Sequence, residues 1–217
     1  MNFFCSWSGG KDSCLSLYKA ISQGKIPKFL FTTCIEDGGR SRSHGLSMAI
    51  LQAQSLSLGI PLVTVNTAWN QYRDNFIAGI RALKRRDPSI TLGIFGDIDI
   101  DAHAQWEKDV CAESGMNAYL PLWQMERKYV LKEFLDAGFK AMIISVNIAQ
   151  LNPEKYLGRV IDEMLWEELE AIKIDPCGEN GEYHTIVFDG PIFKHALLLE
   201  RGHIIQHQNY CFLDLKL

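Results

Sequence analysis

The sequence predicts an α/β protein in which a doubly wound parallel sheet, residues 1–122, is followed by a smaller C-terminal α+β domain, residues 123–217. Three observations support this fold class. Strand-like and helix-like segments alternate through the first part, glycines stand where its helices are expected to end, and strand-like segments dominate after residue 183. Alternation of this kind produces a parallel sheet that helices cover on both faces.

The first part contains four expected strands, which are short apolar runs of the kind found in sheets buried on both faces. They cover residues 2–6, 28–34, 61–65 and 92–95. Helix-like segments separate them, and three of these segments stop at glycines, residues that commonly terminate helices: Gly24, Gly59 and Gly115. The expected helices include the stretch from Leu15 to Ile21 and residues 45–58, 70–85 and 102–114.

The second part mixes helices and strands in a less regular order. Helices are expected at residues 127–137 and 154–171, with a β-branched strand at residues 142–146 between them. Three further strands are expected at residues 183–188, 194–200 and 204–215, with turns at Gly190-Pro191 and Gly202. This pattern indicates a small α+β unit packed on the first.

Composition indicates a soluble, cytoplasmic protein. Hydrophobic residues make up 47% of the chain, and no apolar run approaches the ~20 residues of a membrane helix. The N-terminus has no signal-peptide pattern, and the six cysteines form no C-x-x-C pair, so we expect a reduced protein without a zinc ribbon. The net charge of −4 argues against a dedicated nucleic-acid surface. A homodimer is left open.

A glycine-rich segment, Ser8-Gly9-Gly10-Lys11-Asp12-Ser13, stands between the first expected strand and the first helix. Glycines let the backbone approach an anion closely, and N–H groups at a helix N-terminus offer donors and a positive dipole end. The two serine hydroxyls and the lysine add further donors. An ordinary capped turn is the alternative, but this string in a strand–loop–helix context favours a phosphate site.

The segment is not a Walker A motif. Cys5 and Asp12 occupy the places where that motif has glycine and serine or threonine. An acidic residue is unexpected in a purely anion-binding loop, so Asp12 is expected to bind a metal ion, orient Lys11 or cap the helix.

Two further polar clusters follow expected strands, and the carboxyl ends of parallel strands are where such sheets bind ligands. Residues 36–44 include Arg40, Ser43 and His44, and the arginine suits phosphate or carboxylate. A solvated loop is the alternative. Residues 96–103 include Gly96 and three aspartates, Asp97, Asp99 and Asp101, which suit Mg²⁺ or a ribose or cap the next helix, capping being the favoured role of Asp101.

The fourth cluster, residues 175–185, is dense in polar residues and glycines at the entrance to a strand. It contains Glu179, Asn180, Gly181, Glu182, Tyr183 and His184. The two carboxylates suit an ammonium group, a metal ion or a catalytic proton. Glu182 and His184 are expected to share one strand face. A polar turn that feeds a hairpin is the alternative.

The segment Ser8–Ser13 resembles the PP-loop of N-type ATP pyrophosphatases, which implies a HUP-like nucleotide domain. That resemblance implies that ATP is cleaved between its α and β phosphates, with AMP left on a substrate oxygen and Mg²⁺ neutralising the phosphates. Together, the segments resemble the diphthine–ammonia ligase family in order across nearly the whole chain: Ser8–Ser13, Asp37–His44, Gly96–Trp106, Pro121–Trp123, Gly178–Thr185 and Gly190–Phe193.

The family resemblance implies a single-module ligase of diphthamide biosynthesis, of bacterial or archaeal type. The carboxylate of diphthine, a modified histidine on an elongation factor, would be adenylated and then amidated by ammonia. The implied ATP-binding residues are Ser6, Ser8, Gly9, Gly10, Lys11, Asp12, Ser13, Gly96 and Asp97, with Asp12 and Asp97 as candidate Mg²⁺ ligands. The implied substrate-binding residues are Arg40, Ser43, His44, Glu179, Asn180, Gly181, Glu182, Tyr183 and His184. Lys11, Asp12 and Glu182 are the catalytic candidates.

One departure affects the acceptor. The eukaryotic family signature reads Glu-Gly-Gly-Glu-Tyr-Glu-Thr, whereas here Asn180 replaces a glycine and His184 replaces a glutamate. A neutral or titratable group therefore stands where the family has a carboxylate. Two other functions stay open: a PP-loop enzyme of tRNA modification or sulfur transfer, and a non-catalytic sensor of ATP or AMP.

Overall fold

The computed structural model describes residues 1–217 and contains two sheets. The first sheet has five parallel strands in the order β3-β2-β1-β4-β5. Their bounds are β1 Asn2–Ser6, β2 Ile26–Cys34, β3 Leu62–Asn66, β4 Ile90–Ile94 and β5 Asn117–Tyr119. The order reverses between β1 and β4, which makes their carboxyl ends the topological switch point of the sheet.

Helices cover both faces of this sheet. Their bounds are α1 Lys11–Ser22, α2 Met48–Leu58, α3 Tyr72–Arg86 and α4 Asp101–Glu113. Side chains alternate along β1, so Phe3 and Cys5 join a core with α1 and α2, whereas Phe4 joins a second core with α3 and α4. The expected doubly wound α/β arrangement is confirmed.

The remaining residues form a four-stranded antiparallel sheet in the order β7-β6-β9-β8, together with three helices. The bounds are α5 Arg127–Asp136, β6 Lys140–Asn147, α6 Pro153–Tyr156, α7 Glu163–Ala171, β7 Tyr183–Asp189, β8 Glu200–His207 and β9 Tyr210–Lys216. Residues of this sheet belong to the same core as α1 and α2, so the second sheet packs on that face of the first. No helix is long and apolar enough to cross a membrane.

The expected helix over residues 154–171 is wrong in its middle. The chain leaves α6, turns at Gly158 with φ of +79°, and runs beside β6 before α7 begins. The Ile143 N–H donates to the Arg159 carbonyl at 2.9 Å, and the Ile161 N–H donates to the Ala141 carbonyl at 2.8 Å. These hydrogen bonds to β6 replace the backbone hydrogen bonds that a continuous helix would make.

The C-terminal strands also differ from the expectation. Residues 190–199 are irregular rather than a strand, and the turn between the last two strands lies at residues 208–209. Gly202 is inside β8, where the pairing register with β9 shifts between Arg201 and Ile204. The three-residue strand β5 was not expected, because so short a run carries little pattern.

Candidate active site

A cavity of about 590 Å³ lies at the carboxyl ends of β1, β2 and β4 and is closed on one side by β7. It gathers residues from all four polar clusters of the sequence. The expected site residues that line it are Ser6, Ser8, Lys11, Asp12, Ser13, Ser43, His44, Gly96, Asp97, Glu179, Gly181, Tyr183 and His184.

Three of the expected substrate-binding residues do not line the cavity. Arg40 instead pairs with Asp214 at 2.8 Å and donates to the Gly45 carbonyl. The buried Glu182 carboxylate accepts from the Asn180 backbone N–H at 2.9 Å, so both residues stabilise their own turn. Glu182 precedes β7, which begins at Tyr183, and its carboxylate is bound by the Asn180 backbone and side-chain amides, so it does not share a cavity-facing strand face with His184. The expectation that these residues face a substrate is corrected.

The phosphate loop is held by its own hydroxyl groups. Ser8 Oγ accepts from the Gly10 N–H at 3.2 Å and lies 3.0 Å from Ser13 Oγ. Gly9 has a φ of +83°, a region that favours glycine, and a Cβ there would lie 2.5 Å from Leu46 Cδ1. Gly9 and Gly10 therefore contribute to the loop through their backbone conformation, and they do not line the cavity.

Lys11 is the buried cation of the loop. Its ammonium lies 2.7 Å from the Asp12 carboxylate and 3.5 Å from that of Glu179. Burial alone would lower the pKa of Lys11, but the charges of Asp12 and then Glu179 outweigh it and hold the pKa well above its ordinary value. The ammonium is thus permanently charged and faces the cavity from the first turn of α1.

Two stacked histidines form a second wall beside the phosphate loop, where His44 packs directly against Gly10. The rings of His44 and His184 lie 4.7 Å apart with planes 27° apart, and His184 also stacks on Tyr210 at 6.4 Å. His44 Nδ1 lies 2.9 Å from the Thr185 carbonyl, which accepts only, so Nδ1 carries the hydrogen. Burial, with smaller contributions from neighbouring positive groups, lowers the pKa of His44 to about 4 and that of His184 to about 3. Both rings are therefore neutral at pH 7.

A third wall is aromatic, and sequence reasoning missed it. Tyr72, Phe76, Phe95 and Trp106 surround the buried carboxyl group of Glu107, whose Oε2 has no hydrogen-bond partner. Burial and then the neighbouring Asp97 raise the pKa of Glu107 to about 11. We call this part of the cavity, defined by these five residues, the aromatic chamber. In the sequence Glu107 precedes a lysine in a polar helix, and nothing marks it as buried.

The carboxylates fit a hydrated magnesium ion. Asp12 and Asp97 both line the cavity beside the phosphate loop, and no group of three or more His, Cys, Asp or Glu side chains is arranged to hold a metal ion. Mg²⁺ usually keeps several waters and takes one or two carboxylates together with substrate phosphates. The two aspartates would therefore hold the ion only together with bound phosphates.

One arginine outside the cavity wall links a loop of the first sheet to a loop of the second. Arg127 donates to both oxygens of Asp99, at 2.7 and 3.0 Å, and to Asp175 at 2.6 Å and Asn180 at 3.0 Å. Asp99 follows β4 and Asp175 precedes β7, so the contacts tie the loop that carries Asp97 to the loop that carries Glu179.

The histidine wall predicts a pH dependence of stability. Because the pKa values of His44 and His184 are lower in the folded chain than the ordinary 6.5, the unfolded chain binds more protons as the pH falls from about 6.5 to 4. The contribution of the two histidines to the free energy of unfolding, which is measured by urea denaturation, should therefore decrease over that window. Burial raises the pKa values of Glu179 and Glu107, which gives the opposite slope over most of the window, so the histidine contribution is isolated by comparing a variant with the wild type.

His184→Asn should lose stability less steeply than the wild type between pH 6.5 and 4, because it removes one group that must stay neutral. His203→Asn, at an exposed position in β8, is the matched control and should follow the wild-type slope. Equal slopes for the wild type and His184→Asn would contradict this interpretation of the histidine wall.

Comparison with known proteins agrees with this arrangement. The profile of the diphthamide synthase N-terminal domain matches residues 1–118, and that of the diphthamide synthase C-terminal domain matches residues 126–217. The chain belongs to the diphthamide synthase family. The resemblance stated from the sequence motifs is confirmed, and with it the ligase class of the family.

Relatives with the name diphthine–ammonia ligase match almost the whole chain. The Homo sapiens protein is 32% identical over 94% of this chain and 85% of its own length. The Schizosaccharomyces pombe protein is 28% identical over 96% of this chain but only 38% of its own length. A solved structure from Methanocaldococcus jannaschii, described as a predicted subunit of tRNA methyltransferase, has 16% identity and a TM-score of 0.46 over 86% of this chain and 96% of that chain. That likeness is too distant to bear on function.

Proposed function

We propose that this protein is an ATP-dependent ligase that adenylates a carboxylate and then amidates it with ammonia, releasing AMP and pyrophosphate. The observation that carries the proposal is the buried Lys11 ammonium, fixed at a glycine loop and facing the same cavity as Glu179 and the two histidines. The name of the relatives, diphthine–ammonia ligase, supports the same reaction class.

The cavity accommodates ATP in one orientation. The triphosphate lies against the loop and Lys11, because the donors and the cation are there. The base lies in the aromatic chamber, where planar rings surround a single unpartnered acceptor, Glu107 Oε2, that suits an exocyclic N–H. The α-phosphate then lies in the cavity where the loop and the histidine wall meet. We also propose that the chain divides near residue 122, with residues 1–122 binding ATP and residues 123–217 binding the acceptor.

The reaction has two displacements. A carboxylate oxygen of the acceptor attacks the α-phosphorus and pyrophosphate leaves; Lys11 stabilises the negative charge that develops on the transferring and leaving groups. Ammonia then attacks the acyl carbon of the mixed anhydride, AMP leaves, and one proton passes to solvent or to a carboxylate such as Glu179. Mg²⁺, held through Asp12, Asp97 and phosphate oxygens, would neutralise phosphate charge. Placing the reactants side by side supplies much of the acceleration.

The acceptor lies against Glu179 and the histidine wall. In the relatives the acceptor is diphthine by name, and diphthine on an elongation factor is our proposed first substrate. His184 is neutral and stands where the eukaryotic signature has glutamate, so the wall offers one carboxylate fewer to a cationic acceptor. His184→Glu is thus the informative variant when diphthine is compared with other carboxylates.

The aromatic chamber gives a direct prediction. Trp106→Ala should weaken ATP binding by about tenfold, because stacking of a base on an aromatic side chain contributes roughly 1–3 kcal/mol. Pyrophosphate binding should not change, since no phosphate lies in the chamber. Calorimetric titration measures both. The control is Tyr129→Ala, which removes an exposed aromatic ring on α5; equal ATP affinity in the two variants would exclude the chamber as the base site.

Oxygen transfer tests the whole reaction. The protein is incubated with ATP, ammonium and diphthine-containing elongation factor whose diphthine carboxylate carries ¹⁸O. The proposal predicts that one ¹⁸O atom appears in AMP and that the factor acquires an amide. The second carboxylate oxygen stays in the amide carbonyl, so the deciding product is AMP: an amidated factor formed without ¹⁸O in AMP, or label in inorganic phosphate, would refute adenylation.

A further inference from the structure

One buried glutamine joins three parts of the active site. Gln54, on α2, is fully buried, and its side-chain amide makes three hydrogen bonds. Its Nε2 donates to the Gly9 carbonyl at 2.9 Å and to the Val187 carbonyl at 2.7 Å, while its Oε1 accepts from Trp7 Nε1 at 3.0 Å. Both amide hydrogens and the oxygen are therefore used, and none of the bonds is to solvent.

The three partners are the end of β1, the phosphate loop and the strand β7. The loop and β7 also bond directly: the Val187 N–H donates to the Gly9 carbonyl at 2.9 Å, and the Lys11 N–H donates to Thr185 Oγ1 at 3.1 Å. Because β7 carries His184, the loop and the histidine wall are parts of one hydrogen-bonded assembly. A shift of the loop relative to β7 would change the separation of Lys11 from the acceptor side.

The sequence at the loop leaves room for this glutamine. A Cβ at Gly9 would lie 2.8 Å from Gln54 Oε1, so only glycine allows the amide to reach the backbone. The Gly9 carbonyl accepts from both Gln54 and Val187 and thereby faces away from the cavity. That peptide orientation is part of a fixed loop backbone, since the next two N–H groups are also bound within the protein, that of Gly10 to Ser8 Oγ and that of Lys11 to Thr185 Oγ1.

We propose that Gln54 is a positioning residue that fixes the phosphate loop against β7 and so sets the alignment of bound phosphates with the acceptor. This inference rests on the proposed function for the identity of the ligand. It assigns a role in phosphate binding to a residue of α2 that lies outside the cavity wall. Binding of the base, which takes place in the aromatic chamber, does not depend on Gln54.

The test compares the affinities of ATP and adenosine in the full-length protein by calorimetry. Gln54→Met keeps the side-chain volume but removes both donors and the acceptor. It should weaken ATP binding about tenfold or more, since loss of one well-aligned hydrogen bond to a charged phosphate is enough to produce an effect of this size. Adenosine binding should stay within twofold of the wild type, so the ratio of the two affinities falls.

Ser57→Ala is the matched control. Ser57 is also fully buried on α2, and its hydroxyl donates to the His195 carbonyl at 2.6 Å, away from the loop. The variant loses a buried hydrogen bond from the same helix, so it should lower thermal stability while leaving the ATP-to-adenosine ratio unchanged. If Gln54→Met acted only by loosening α2, Ser57→Ala would change the ATP-to-adenosine ratio to a similar extent.

Gln54→Glu gives a second readout, which also covers the case in which Gln54→Met does not fold. A charged carboxylate would repel the two carbonyl groups, whereas a protonated one donates one hydrogen bond. ATP affinity relative to the wild type should therefore recover as the pH is lowered from 8 to 6. If wild-type protein binds ATP but Gln54→Met keeps the wild-type ratio, or Gln54→Glu shows no recovery, the inference fails. Absence of ATP binding by the wild type would instead refute the proposed function.

Discussion

Replacing Lys11 with methionine is expected to reduce ATP–pyrophosphate exchange by about 10³-fold or more. Removing a single preorganised donor from a developing negative charge costs roughly 10²- to 10³-fold, and a buried full charge should contribute at least as much. The Lys11 ammonium is paired with both Asp12 and Glu179, and Lys11 lies in the first turn of α1 at the loop. The exchange assay, with diphthine-containing elongation factor as acceptor, measures the effect.

The fold should survive this change. Without the ammonium, Glu179 loses the larger of the two positive neighbours that lower its pKa, so it takes up a proton rather than remaining a buried, uncompensated charge. Lys132→Met removes an exposed lysine that pairs with Asp136 and serves as the control for loss of one positive charge. If Lys11→Met catalysed ATP–pyrophosphate exchange at the same rate as Lys132→Met, another group would have to stabilise the transition state.

The second large effect is expected for Gly96→Ala. A Cβ at Gly96 would lie 2.8 Å from the Ser13 backbone nitrogen and 3.0 Å from the Asp12 carbonyl carbon. Both atoms belong to the first turn of α1, so neither can rotate aside, and the helix must move away from β4. Overpacking of this kind costs about 1–3 kcal/mol in stability. A displacement of about 1 Å at the phosphate site reduces the rate by about 10²-fold.

Gly39→Ala provides the comparison, because its nearest neighbour would be the flexible end of Asp37 at 3.2 Å in an exposed loop. Thermal denaturation and ATP titration are measured on both variants. Gly96→Ala should show a lower melting temperature and at least tenfold weaker ATP binding, and Gly39→Ala neither. Unchanged ATP affinity in Gly96→Ala would mean that the close packing of β4 on α1 does not hold the phosphate loop.

The phosphate loop and the parallel sheet were predictable because they depend on local sequence. The sequence runs without interruption from an apolar strand through Gly9 and Gly10 into an amphipathic helix. Each of these three segments has a strong local preference for the conformation that it adopts. The meeting of Ser8, His44, Asp97 and Glu179 in one cavity followed from a general property of parallel sheets, namely that the carboxyl ends of their strands lie at one edge.

What was missed depends on long-range packing. Gln54 and Glu107 lie on helices among residues that give no functional pattern, and only the tertiary structure shows that both are buried. Arg40 was misplaced for a related reason, because its partner Asp214 is more than a hundred residues away and a charged residue does not reveal so distant a partner. Glu182 was misplaced for a local reason: the turn at residues 180–182 lets the Asn180 amide bind its carboxylate outside the cavity.

The break between α6 and α7 has the same origin. Residues 154–171 are helix-like apart from one glycine, yet the free edge of β6 at residues 141–143 offers backbone groups that pair with residues 158–161. Local propensity favours a continuous helix, and this pairing outweighs it.

The central claim is that bound ATP is cleaved between its α and β phosphates. It is tested most directly by incubating the protein with ATP, ammonium and an acceptor extract or diphthine-containing elongation factor, then identifying the nucleotide product by chromatography. AMP and pyrophosphate in equal amounts, absent with Lys11→Met, are the predicted result. Formation of ADP and phosphate, or AMP formation that Lys11→Met leaves unchanged, would contradict the account.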